Sequence, residues 1–105
     1  MFEIVERPTS PGEILLEEFM KPLGISKSSL AGYLDVSYSR INEIIQGKRA
    51  ITPDTAFRLA AYFDTTPEFW INAQNAVDMF DTLKDHKIDY QKIHRESHAS
   101  QATAI

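Results

Sequence analysis

The sequence predicts an all-α fold of five helices. Three observations point there: helix-start signals recur along the chain, apolar residues recur at helical spacing, and strand signals are nearly absent. Ser10-Pro11-Gly12-Glu13 reads as a capping box, with Ser10 at the N-cap, proline at the first helical position and Glu13 reaching back. A first helix is expected near 11–21, ended by Pro22 through Gly24, with Ile14, Leu15, Phe19 and Met20 turned inward. Ser26 opens a second helix over 27–34, and Ser37 opens a third over 38–46, which Gly47 ends. Thr52-Pro53-Asp54 and Thr66-Pro67-Glu68 open helices over 53–63 and 67–85, each with acid in the first turn, where the helix dipole favours it. Ala56, Leu59, Ala60 and Phe63 form the inward stripe of the fourth. Phe69, Trp70, Ala73, Ala76, Val77, Phe80 and Leu83 form that of the fifth. Phe2 to Val5 is the one strand-like piece, too short to define a sheet.

At 105 residues the chain fits one domain, expected over 1–86, followed by a polar segment, 87–105, that reads as a flexible tail. The absence of cysteine excludes disulfides, cysteine nucleophiles and thiolate metal sites. No apolar run reaches the roughly 18 residues that a membrane-spanning helix needs. Met1 to Arg7 carries acid where a signal peptide needs positive charge, so a cytoplasmic location is expected. The net charge of −4 at first argues against a nucleic-acid partner. Its distribution argues the other way: residues 1–20 carry −4, 21–58 carry +3 and 59–105 carry −3. A polyanion is sought in the basic middle.

Only Asp35 to Ser37 separate the second and third helices, so the two must cross steeply and bury apolar side chains at the crossing. Leu30, Leu34, Val36, Ile41 and Ile44 supply those side chains, and Ala31 is small enough for the closest approach. This is the spacing of a helix-turn-helix.

The stretch resembles the XRE (Cro and phage-repressor) family of helix-turn-helix proteins, and most of the chain resembles the HigA-type antitoxins, also called virulence-associated protein I. The resemblance is carried by Pro11-Gly12-Glu13-Ile14-Leu15, Pro22-Leu23-Gly24-Ile25-Ser26 and Ser39-Arg40-Ile41-Asn42-Glu43-Ile44. Gly47-Lys48-Arg49, Ile51-Thr52-Pro53-Asp54-Thr55-Ala56, Pro67-Glu68-Phe69-Trp70 and Gln74-Asn75 extend it. It implies a lambda-repressor-like DNA-binding domain that dimerises, represses its own operon and neutralises an mRNA-cleaving RelE-like toxin. Two positions depart from the pattern. Asp35 stands where the family usually has glycine, at a turn position that favours left-handed backbone. Tyr38 stands where arginine is frequent.

A recognition helix enters the major groove and meets base edges with its N-terminal residues. On the third helix Ile41, Ile44 and Ile45 face inward, so Tyr38, Ser39, Asn42 and Glu43 are the candidate base readers, with Gln46 on the same stripe. Asn42 or Gln46 would pair with adenine, Glu43 would accept from cytosine, and Tyr38 would pack on a thymine methyl. Phosphate contact falls to Lys27, Arg40, Lys48 and Arg49, with Gln46 beside them. Palindromic operator DNA read by a homodimer is expected, and Val77, Phe80 and Leu83 on the fifth helix are the candidate dimer interface.

Two enzyme-like patterns compete with this reading. Asp78, Asp81 and Asp85 share a helix face that would suit hydrated Mg²⁺, and His94 and His98 are spaced as a helical Zn²⁺ pair. A solvated acidic stripe and tail histidines explain both more simply, so no catalytic residue, metal or cofactor is expected. Glu3, Glu6, Glu13, Glu17 and Glu18 suit a basic ribonuclease surface. A stand-alone regulator without a toxin is the alternative.

Overall fold

The computed structural model describes residues 6–93, and these form five helices joined by short turns. Helix α1 is continuous but changes pitch: it is α-helical over Pro11–Ile14, π-helical over Leu15–Met20 and α-helical again over Lys21–Leu23. The wide segment precedes Pro22, whose ring would clash with the Glu18 carbonyl in a regular α-helix and which has no N–H to donate. In the widened turn the Lys21 amide donates to the Leu16 carbonyl instead. This π segment was not foreseen, and the helix runs two residues past its expected end at 21. Helices α2 (Lys27–Leu34), α3 (Tyr38–Ile45), α4 (Pro53–Phe63) and α5 (Pro67–Gln91) follow. The Phe2 to Val5 piece lies outside the described residues.

Each helix starts on a hydroxyl that accepts from the amide three residues on. Ser10, Ser26, Ser37, Thr52 and Thr66 cap Glu13, Ser29, Arg40, Thr55 and Phe69 respectively. Three of the turns share one chemistry. Gly24, Asp35 and Asp64 adopt left-handed backbone at φ 65°, 56° and 58°. The amides of the next residues, Ile25, Val36 and Thr65, return to the carbonyls of Met20, Ala31 and Ala60 at 2.9, 3.0 and 3.2 Å. A capping hydroxyl follows at once, so each helix hands over to the next in three residues.

Leu15, Leu30, Ile41, Ala56, Leu59 and Trp70 are fully enclosed, with Met20, Ile44, Ile51, Leu34 and Ala31 around them. Ala31, expected at the closest approach of α2 and α3, is buried at 5% exposure. Phe19 packs on Phe63 and Trp70 with ring centroids 5.0 and 5.1 Å apart, joining α1 to α4 and α5. Phe69, expected on the inward stripe, remains 41% exposed because its ring meets Trp70 edge-on at the rim. Ile51 and Thr55 are buried, though neither was expected in the core from its spacing.

Helix α5 continues to Gln91, so the boundary expected at 86 falls inside it. The sequence turns polar there, but no glycine or proline follows Pro67 to end the helix. No helix among the described residues is long and apolar enough to cross a membrane.

Candidate nucleic-acid interface

Helix α3 is fixed from behind and open in front. Ile41 and Ile44 are anchored in the core at 0% and 1% exposure, while Tyr38 on the other side is 49% exposed and Ser39 is open to solvent. The preceding turn is held by Arg58 of α4, whose Nη1 donates to the Leu34 carbonyl at 2.8 Å. Its last turn touches the start of α1, where a Cβ on Gly12 would fall on the Ile44 carbonyl oxygen. Glycine is required there because the neighbour is backbone, which has little freedom to retreat.

The predicted site residues are tied to one another more than the sequence suggested. The Lys27 ammonium donates to Asn42 Oδ1 at 2.9 Å, linking the first turn of α2 to the middle of α3. Glu43 pairs with Arg49 at 2.8 Å, so an expected base reader and an expected phosphate ligand neutralise each other. Arg40 pairs with Asp54 at 3.0 Å, and the same carboxylate receives Arg58 at 2.8 Å. Hydrogen bonds from Arg58 and then from Arg40 hold the Asp54 carboxyl below the usual carboxylate range. Asp54 and Arg58 thus hold α3 and the turn before it, and neither was singled out as doing so. Their own spacing of four was a legible helical pair, whereas the link to Arg40 spans fourteen residues and needs the fold. Lys48 and Gln46 are exposed, and among the described residues Lys48 has no ion-pair partner. Tyr38, Ser39, Lys48 and Gln46 are therefore the least constrained members of the predicted set.

At the other end, Val77 is 4% exposed and closed within its own subunit, so its surface is already spent on the core and adds nothing to a dimer face. Phe80 and Leu83 are half-buried. Met79, 67% exposed, falls with Ala76, Leu83 and Tyr90 on one seam at steps of three, four and seven residues. The acidic stripe has partners: Asp78 accepts from Gln74, and Asp81 receives both Arg7 Nε and Nη2 at 3.1 and 3.0 Å. The bond from Arg7 holds the Asp81 carboxyl below its ordinary range. His94 and His98 lie outside the described residues.

The helix-turn-helix family model matches residues 16–70, from the middle of α1 to the first turn of α5. Virulence-associated protein I of Dichelobacter nodosus is 54% identical over 69 residues, 66% of this chain and 64% of that protein. Antitoxin HigA-1 of Vibrio cholerae is 43% identical over 76 residues, 72% of this chain and 71% of that antitoxin. Among solved structures, the Pseudomonas aeruginosa antitoxin HigA with the higBA promoter superposes at a TM-score of 0.82 and 36% identity, covering 86% of this chain and 99% of that one.

Proposed function

This chain belongs to the helix-turn-helix family, and from that premise we propose that it is a sequence-specific DNA-binding antitoxin that represses its own operon and neutralises a RelE-like mRNA-cleaving toxin. One observation carries the DNA part: α3 presents Tyr38 and Ser39 outward on a helix whose opposite face is locked into the core through Ile41 and Ile44. A helix so mounted keeps its approach angle when it meets a rigid duplex. The likeness to an antitoxin solved with promoter DNA supports the same reading.

A homodimer places two such helices on adjacent half-sites of a palindromic operator. The seam of Met79 and Leu83, with Phe80 beside it, receives the second copy. Glu13, Glu17 and Glu18 are exposed along α1 and offer negative charge to a basic toxin, which speeds encounter more than it strengthens the complex. The protein works where DNA and messenger RNA are both in reach, in the cytoplasm.

Fluorescence anisotropy against a duplex from upstream of its own gene tests the DNA reading. Eight cations per dimer would give a slope against log salt of about −7, and four of them are paired with carboxylates beforehand, so the slope is expected between about −4 and −7. A slope shallower than about −2 refutes the phosphate contacts. Co-purification with the product of an adjacent small basic reading frame separates an antitoxin from a stand-alone regulator, which binds the duplex and captures no toxin.

A further inference from the structure

The bond between Lys27 and Asn42 decides more than position. An ammonium has three N–H donors and no lone pair, so the amide atom facing it at 2.9 Å must be the carbonyl oxygen. The side-chain amide of Asn42 is therefore fixed in one of its two orientations, with Nδ2 directed away from Lys27. Among the described residues Nδ2 has no hydrogen-bond partner, and no unpartnered side-chain polar atom is sealed from solvent, so Nδ2 is open. Lys27 keeps further N–H groups beside it.

We infer that Lys27 and Asn42 form a donor-only reading unit that selects a base with acceptors alone on its major-groove edge, guanine first and thymine second. This inference rests on α3 entering the major groove. Guanine offers O6 and N7, both acceptors, and thymine offers O4. Adenine needs an acceptor for its N6 amino group, and although Asn42 Oδ1 keeps a second lone pair, it lies beside the Lys27 ammonium, whose charge and N–H groups repel that amino group. Cytosine presents an amino group and is rejected for the same reason. The adenine pairing expected of Asn42 from residue type alone is thereby disfavoured, and Lys27 gains a positioning role beside its phosphate contact.

The test is selection from a randomised duplex pool with the wild-type protein, Asn42→Ala, Lys27→Met and Lys27→Arg. The position that Asn42 reads is the one whose preference disappears in Asn42→Ala. Wild type is expected to favour guanine, or after it thymine, over adenine there by about ten-fold or more. Lys27→Met frees Oδ1 and is expected to swing that position toward adenine. Lys27→Arg keeps a donor-only neighbour and retains guanine, a readout that stands even if the methionine variant folds poorly. Adenine or cytosine at that position in wild type, a guanine preference unmoved in folded Lys27→Met, or an Asn42→Ala profile identical to wild type each overturns the inference while leaving DNA binding intact. Failure of the wild type to enrich any sequence overturns the DNA-binding proposal itself, and this inference with it.

Discussion

Helix α3 and the outer half of α5 are built by opposite means. Eight residues of α3 are held by a Ser37 cap, two core isoleucines, the Gly12 approach, the Arg58 brace and three side-chain pairs. Beyond Asp81, α5 is exposed at most positions, with Ile88 at 66%, and past the Arg7 contact little else among the described residues covers it. A surface that must meet a stiff duplex is completed within one subunit. The flank of α5, where the proposed second copy would dock, is left open within one chain.

The largest break in this contrast is expected from Gly12→Ala. The added methyl meets the Ile44 carbonyl, so stability in urea should fall by about 3 kcal/mol, the upper end for overpacking. DNA affinity should fall with it, and an unchanged melting curve would mean that α1 does not brace α3. Met79→Glu should do the reverse. Monomer stability should stay within about 0.5 kcal/mol because the side chain is on the surface. Self-association measured by sedimentation should weaken about ten-fold or more, since an unpaired carboxylate would be buried in the seam.

A smaller effect separates the turns. Asp35 bears left-handed backbone that glycine adopts freely, so Asp35→Gly should stabilise by about 0.5 kcal/mol after glycine's entropy loss is offset. A loss of stability would show that the Asp35 carboxylate matters, for instance to Arg58, whose charged form it favours after the larger contribution of Asp54. The smallest effect is that of pH. Asp54 and Asp81 both have carboxyl groups held below their ordinary range, so their contribution is fully present above that range and fades as pH falls through it. Asp81→Asn should flatten the acid limb of a stability–pH curve slightly, and Asp54→Asn should flatten it more, because Asp54 serves two arginines.

What the sequence made legible was local. Every capping hydroxyl was placed correctly because its partner lies three residues away on the same strand of text. The short Asp35 turn likewise fixed the order and crossing of α2 and α3. What escaped was set by distance through the fold. Gly12 reads as part of a cap until α3 is packed against it. Lys27 and Arg40 read as phosphate ligands, and Glu43 as a base reader, until Asn42, Asp54 and Arg49 are brought to them. Val77 was expected both on the inward stripe and at a dimer interface, and its burial accords with the first: α5 carries two apolar stripes side by side, and spacing alone does not say where one ends and the other begins. The end of α5 was placed too early because fading hydrophobicity is weaker punctuation than glycine or proline.

The brevity of α3 sets a ceiling on what one molecule can tell apart. Eight helical residues extend about 12 Å, which spans roughly four rungs of a duplex rising 3.4 Å each. A four-letter word recurs about every 256 letters, far too often to mark one address among the million or more that a chromosome offers. Two copies reading in tandem lengthen the word to about eight letters and make it rarer by another factor of about 256. On the proposed dimer, selectivity in the cell would therefore depend as much on the open flank of α5 as on the residues that touch the letters.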